Sequence, residues 1–311
     1  MRAVFMGTPD IAAEVLKSLL TSEHEIIAVV TQPDRPKGRG KELAMSPVKM
    51  VAKEHGILVL QPEKIKAPEA VAQLKELAPD IILVAAFGQI ISKEILELPR
   101  YGCLNVHASL LPEYRGAAPI QWAILDGKEK TGITIMRMDE GIDTGDMICT
   151  AEVLITPEET GGSLHDKLAA AGGPLLLQAI KQVEEGTATY TPQNHEAHTY
   201  AKMLRKELGK LDFTEPAEKL ERYIRGLNPW PSAYTYRDGK VIKFWSAKVS
   251  FERFEACPCG TLVSVKDGML WIMTGDGILQ VTEVQPEGKR RMTSEEFLRG
   301  YPLTPGMVFG S

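Results

Sequence analysis

The sequence predicts an α/β protein. A Rossmann-like N-terminal domain on a mostly parallel sheet precedes a smaller, OB-like β-barrel domain. Three observations predict it. The first thirty residues read strand, glycine turn, helix, strand, which is a βαβ unit. Asp80–Ala86 is an apolar run without alternation, as strands buried on both faces are. From Ala233 onward short strands recur between turns, with Asp238-Gly239 and Asp267-Gly268 as hairpin signals. The expected boundaries are 1–189 for the first domain, 190–207 for a linker and 208–311 for the second.

The chain has 311 residues, which favours two domains, and it can bury a large core without disulfides or metal. Hydrophobic residues are 44% and charged residues 25%, ordinary for a water-soluble chain. A net charge of −5 excludes a global basic footprint, so nucleic-acid contact requires a local patch. Four cysteines without a CxxC pair favour a reducing compartment. Neither a signal-peptide core at the N-terminus nor an apolar run of membrane-spanning length is present, so a cytoplasmic location is expected.

In order, Ala3–Met6 is a strand, and Gly7-Thr8-Pro9 turns into a helix carrying Ile11, Val15, Leu16, Leu19 and Leu20. Asp10 is its expected N-cap. The turn lacks GxGxxG, and its proline removes an N–H that a pyrophosphate would use, which argues against a dinucleotide site. Ile26–Val30 is the second strand. Residues 32–41 are rich in Pro, Gly and positive charge: either a solvated loop or a basic arm for phosphates. Ser46-Pro47 opens a helix that Gly56 closes. Phe87 and Ile90 follow the Asp80–Ala86 strand. They read either as core or as walls of a pocket for a flat ring.

Residues 157–185 read as mainly helical, broken near Gly172-Gly173-Pro174, and Gly186–Thr199 reads as a polar linker. His195 and His198 are three apart, where HExxH needs four. Beyond it, a helix from about Thr214, a rigid Asn228-Pro229-Trp230-Pro231 turn, the β-strands and a Thr293/Glu296 capping box complete the chain. Cys257-Pro258-Cys259 is one ligand pair without a second, so a loop cysteine pair is the default.

The chemistry centres on Cys103–Gly116. Asn105 and His107 are two apart, so on a strand they share a face. A strand ending in a polar pair and opening into a Gly/Pro loop is where open α/β sheets hold ligands. Asn can donate to an oxyanion and His can carry a proton near neutrality. Asp139 to Asp146 holds four acids but fails the EF-hand spacing. The stretch reads either as a hairpin with capping aspartates or as a turn presenting one of its aspartates to His107. No GxSxG elbow exists, and Cys103 is expected to point away from the pair. The substrate itself is then the nucleophile, in a direct acyl transfer from a carbonyl to an amine.

Asn105-Val106-His107, Ser109 through Gly116, and Asp143-Thr144-Gly145-Asp146 resemble the folate-dependent formyltransferases. Gly7-Thr8-Pro9, Thr31 to Pro36 with Gly38-Arg39-Gly40, Gly116 to Gln121, Asn228 to Pro231 and Thr274 to Gly277 look like the branch of that superfamily acting on initiator tRNA. The resemblance covers nearly the whole chain. It implies 10-formyltetrahydrofolate as co-substrate, no metal, and initiator methionyl-tRNA as partner, for translation initiation. Asn105, His107 and Asp143 would be catalytic. Ser109, Leu110, Leu111 and Pro112 would contact folate. Arg39 and Lys41, with Arg35 and Lys37 in the same loop, would meet the tRNA. A monomer is expected. The alternative is transfer to an amino sugar or another small amine.

Overall fold

The structure, a computed structural model, describes residues 1–37 and 42–310. The chain divides into two compact units. One comprises Met1–Pro119, Lys130–Leu154 and His165–Ala201; the other comprises Ile120–Glu129, Ile155–Leu164 and Lys202–Ser311.

The first unit is built on a seven-stranded sheet. Its order is Met147–Leu154, Lys130–Arg137, Cys103–His107, Ile81–Ala85, Arg2–Gly7, Glu25–Val30, Leu58–Leu60. The last five run parallel, and the first two form the antiparallel hairpin expected at the edge. Arg2–Gly7 has Glu25–Val30 on one side and Ile81–Ala85 on the other. The chain winds away from it in both directions, which opens a crevice at the carboxyl ends of the strands. Apolar side chains of one face, among them Val4, Met6, Val30, Val84, Phe87 and Cys103, pack into one buried cluster.

Helix ends follow local chemistry with one correction. Ser46 caps Pro47–Glu54 by accepting the Lys49 amide at 3.1 Å, and Gly56 adopts φ 67° after it. Asp10 is not a cap. Pro9 holds that position without a side-chain bond, and Asp10 is the first residue of Asp10–Leu20. There its charge still suits the positive end of the helix.

The expected break at Gly172-Gly173-Pro174 is absent: Gly161–Glu184 is one helix with Pro174 inside it. A Cβ on Gly172 would stand 3.2 Å from both Val106 and Val15, and one on Gly173 would collide with Ser18. These glycines let the helix approach the central strand and Asp10–Leu20 closely. They serve packing rather than a turn.

In the second unit, helix Ala217–Gly226 accompanies an antiparallel sheet ordered Ala233–Arg237, Lys240–Ser250, Ile278–Pro286, Met269–Met273, Leu262–Lys266. Phe213, Leu220, Phe244, Ile272, Leu279 and Phe297 are among its core. Both Asp-Gly hairpins have positive φ at both residues, 50° and 71° at the first, 53° and 71° at the second. Those are the signs a two-residue type I′ turn requires. Thr293 and Glu296 form the reciprocal capping box before Ser294–Gly300. Among the described residues no helix is long and apolar enough to cross a membrane.

Candidate active site

Cys103–His107 is buried along its length, paired in parallel with Ile81–Ala85 and antiparallel with Lys130–Arg137. Asn105 and His107, toward the carboxyl end of this strand, are 8% and 6% exposed. The loop that follows is held by polar bonds, as a short segment without a helix requires. Thr134 Oγ1 donates to the Ser109 carbonyl at 2.7 Å and accepts the Leu111 amide at 3.1 Å. Ser109 Oγ donates to the Glu113 carbonyl at 2.6 Å. The Leu111–Pro112 peptide is cis, and Tyr114 has φ 59°.

That path returns the Tyr114 carbonyl to His107 Nε2 at 2.9 Å. A carbonyl only accepts, so Nε2 carries a proton. The other ring nitrogen, Nδ1, faces the acid and stands 3.6 Å from Asp143 Oδ1. The same oxygen is 3.4 Å from Asn105 Nδ2, and Asp143 Oδ2 accepts the Gly116 amide at 2.8 Å. One carboxylate thus faces an amide, an imidazole and a backbone N–H. Asp143 sits at φ 53°. Within its loop, Asp139 binds the Gly141 amide at 3.0 Å and Thr144 Oγ1 at 2.6 Å. Asp139 therefore holds the turn while Asp143 is the acid aimed at the pair.

A family model described as formyl transferase matches residues 1–180, and one described as formyl transferase, C-terminal domain, matches residues 203–302. The methionyl-tRNA formyltransferase of Agathobacter rectalis is 53% identical over 309 residues, covering 99% of both chains. The chain belongs to the methionyl-tRNA formyltransferase family. The family member of Lachnospira eligens is 51% identical, covering all of both chains. Among solved structures, a sugar 3N-formyl transferase, WlaRD, matches 93% of this chain and 99% of its own with a TM-score of 0.67 at 19% identity. HypX from Aquifex aeolicus, solved with tetrahydrofolic acid, has a TM-score of 0.64 at 19% identity over 96% of this chain and 47% of its own. These last two share the fold.

In this methionyl-tRNA formyltransferase family member, the expected position of Cys103 needs correcting. Residues 103, 105 and 107 share strand parity, so Cys103 lies on the Asn105/His107 face. Depth separates it instead: it is 1% exposed, and its thiol faces the Ile95 and Leu96 carbonyls. Burial pushes its pKa up to about 12, so it stays a thiol and is no nucleophile.

Of the expected folate residues, Ser109 and Leu111 are buried, while Leu110 and Pro112 are half-buried. Phe87 is enclosed, but Ile90 is 77% exposed at the same strand tip. Beside Phe87, at the switch point, lies a cavity of about 570 Å³ lined by Thr8, Gln32, Ser46 and Gly88 among others.

Arg35–Lys37 pairs antiparallel with Glu42–Ala44 as the base of the basic loop. Arg35 is exposed; Arg39 and Lys41 lie outside the described residues. The base is pinned by Asp34, which accepts from Lys49 at 2.6 Å and Gln61 at 2.8 Å. The Lys49 bond, then the Gln61 bond, hold the Asp34 carboxyl below its ordinary range.

A further segment lies against the Tyr114–Gly116 end of the loop. Residues 191–201 are polar and aperiodic, yet Tyr200–Ala201 pairs in parallel with Arg115–Gly116, and Thr199 Oγ1 accepts the Tyr114 amide at 2.8 Å. Gln193, 4% exposed, lies within it. A lone Pro192-Gln193 pair carries no signature of that placement; only the fold brings it there.

Proposed function

We propose that the protein transfers the formyl group of 10-formyltetrahydrofolate to the α-amino group of methionine on initiator methionyl-tRNA. The observation that carries the reading is a convergent amide, imidazole and carboxylate with no protein nucleophile among them. The amine lone pair attacks the formyl carbon, and the carbonyl electrons move to oxygen. Asn105 Nδ2 has an N–H besides the one turned to Asp143, and donates it to that oxyanion. Such a donor is typically worth about 3 kcal/mol in the transition state. The proton shed by the attacking nitrogen passes through His107 Nδ1, steadied by Asp143. As the carbon–N10 bond breaks, N10 takes a proton. The products are formylmethionyl-tRNA, used in translation initiation, and tetrahydrofolate.

The Ser109–Pro112 loop is read as the folate cradle, since Thr134 already satisfies its backbone and fixes its shape. Ile90 has the exposed area to cover a ring; Phe87 has little left to offer. Arg35, Lys37, Arg39 and Lys41 are read as phosphate contacts of the tRNA. We infer a cytoplasmic enzyme acting as a monomer, with no metal in the reaction. The test is formyl transfer from the labelled folate donor, with charged initiator tRNA, free methionine and a nucleotide-linked amino sugar as competing acceptors. Label on the aminoacylated tRNA supports the reading. Label on the amino sugar overturns it.

A further inference from the structure

Asp143 lies on a turn whose tip, residues 139–142, is largely solvent-exposed, so apolar packing does little to hold it. Its backbone is also in the left-handed region, where an L-residue persists only if its surroundings impose it. One buried side chain meets that need. Gln193 Nε2 donates to the Asp143 carbonyl at 2.9 Å and to the Gly145 carbonyl at 2.8 Å. Gln193 Oε1 accepts from Arg115 Nε at 3.0 Å and Nη2 at 2.7 Å. The amide orientation is fixed by chemistry, since a guanidinium only donates and two carbonyls only accept.

Arg115, itself 5% exposed, also reaches His195 Nδ1 at 3.2 Å, and it immediately precedes Gly116, whose amide holds the Asp143 carboxylate. Both sides of the Asp143 turn are therefore referred to one rigid pair.

We propose that Gln193, clamped by Arg115, is a positioning residue for the transfer: it sets the Asp143 turn so that the carboxylate meets His107 and Asn105. The inference rests on the catalytic reading of Asp143 above. Among the described residues Gln193 forms no hydrogen bond to His107 or Asn105, so its influence on the reaction runs through Asp143. Neither a leucine-like nor an acidic side chain can replace it. The first has no polar ends. The second satisfies Arg115 but sets an oxygen against two carbonyls.

The test is a double-mutant cycle on the full chain, with Gln193→Met made alone and in an Asp143→Ala background. Single-turnover transfer to charged initiator tRNA, folate affinity and Tm are measured for each. Alone, Gln193→Met is expected to slow the transfer by about 10–100-fold, as small misplacements of catalytic groups do, with folate affinity within about threefold. In the Asp143→Ala background it should slow the reaction by less than about threefold more, because its effect is already lost.

A wild-type rate in Gln193→Met overturns the proposal. So does the full slowing reappearing in the double variant, which would mark a general structural role. If Gln193→Met fails to fold, Gln193→Glu takes its place in the cycle with the same expectations. A strongly slowed Asp143→Ala beside a Gln193→Met at the wild-type rate refutes the clamp alone. An active Asp143→Ala refutes the catalytic reading and the clamp with it.

Discussion

The Gly116 amide donates to Asp143 Oδ2 at 2.8 Å, joining the end of the Ser109–Gly116 loop to an acid 27 residues further along. The carboxylate's other oxygen is thereby left for Asn105 and His107. Gly116 thus links the end of that loop to the Asp143 carboxylate, and a change at Gly116 should be felt at the acid.

Gly116 has φ 107°, and a Cβ there would stand 2.8 Å from the Tyr200 ring and 2.9 Å from the Ala201 carbonyl. Gly116→Ala is expected to cost about 1–3 kcal/mol in stability through strain and collision. It should also lose most of its activity at temperatures where it stays folded. Gly56→Ala is the control: φ is 67° but nothing lies within 4 Å, so Tm should fall while activity holds. Thermal melts with activity measured well below each midpoint check both.

Asp143→Asn keeps the shape and an oxygen for the Gly116 amide but removes the charge facing His107. The transfer rate should drop by on the order of 100–1000-fold, comparable to the loss of one preorganised electrostatic group. Folate affinity should change by less than about threefold, because the Ser109–Pro112 loop is fixed by Thr134 instead. Steady-state kinetics paired with a folate titration give the answer, and an equal loss of both quantities would contradict it.

Cys103 should resist alkylation in the folded protein, since a thiol whose pKa is near 12 is almost wholly protonated at pH 8 and is also enclosed. The sign is simple: thiolate appears only as pH rises toward that value, past the working range. Cys257 and Cys259 are partly exposed and should react first. Mass spectrometry after brief alkylation at pH 8, with activity followed in parallel, should find Cys103 unmodified and transfer retained.

The basic loop should reveal itself through salt. Neutralising Arg39 and Lys41 is expected to weaken binding of initiator tRNA and to flatten its dependence on salt by about 0.7–0.9 for each phosphate that is no longer neutralised. Filter binding across a salt series measures the slope; an unaltered slope would remove these residues from the interface.

Much of the site was legible because local pattern and chemistry coincide there. Asn105 and His107 are two apart on an apolar run, and a one-face rule needs nothing else. The same rule, applied to Cys103, places it on that face; the thiol is removed by depth, which strand parity does not encode. Gly172-Gly173-Pro174 carries the signature of a break, but its cause is the close approach of Val15, Ser18 and Val106. Gln193 was silent for a related reason. Its partners lie 48 to 78 residues away, and nothing in a polar, aperiodic stretch reports long-range hydrogen bonds.

Under the proposed mechanism the acceptor amine attacks the formyl carbon directly, with no formyl-enzyme in between. Direct attack is tested most directly by mixing the enzyme with formyl-labelled 10-formyltetrahydrofolate in the absence of acceptor, quenching within one turnover time, and counting protein-bound label and free tetrahydrofolate. Charged initiator tRNA is then added. Direct attack should leave the protein unlabelled and the donor intact until the tRNA arrives, after which label and tetrahydrofolate appear together. A stoichiometric burst of formyl-protein before the acceptor is added would contradict it.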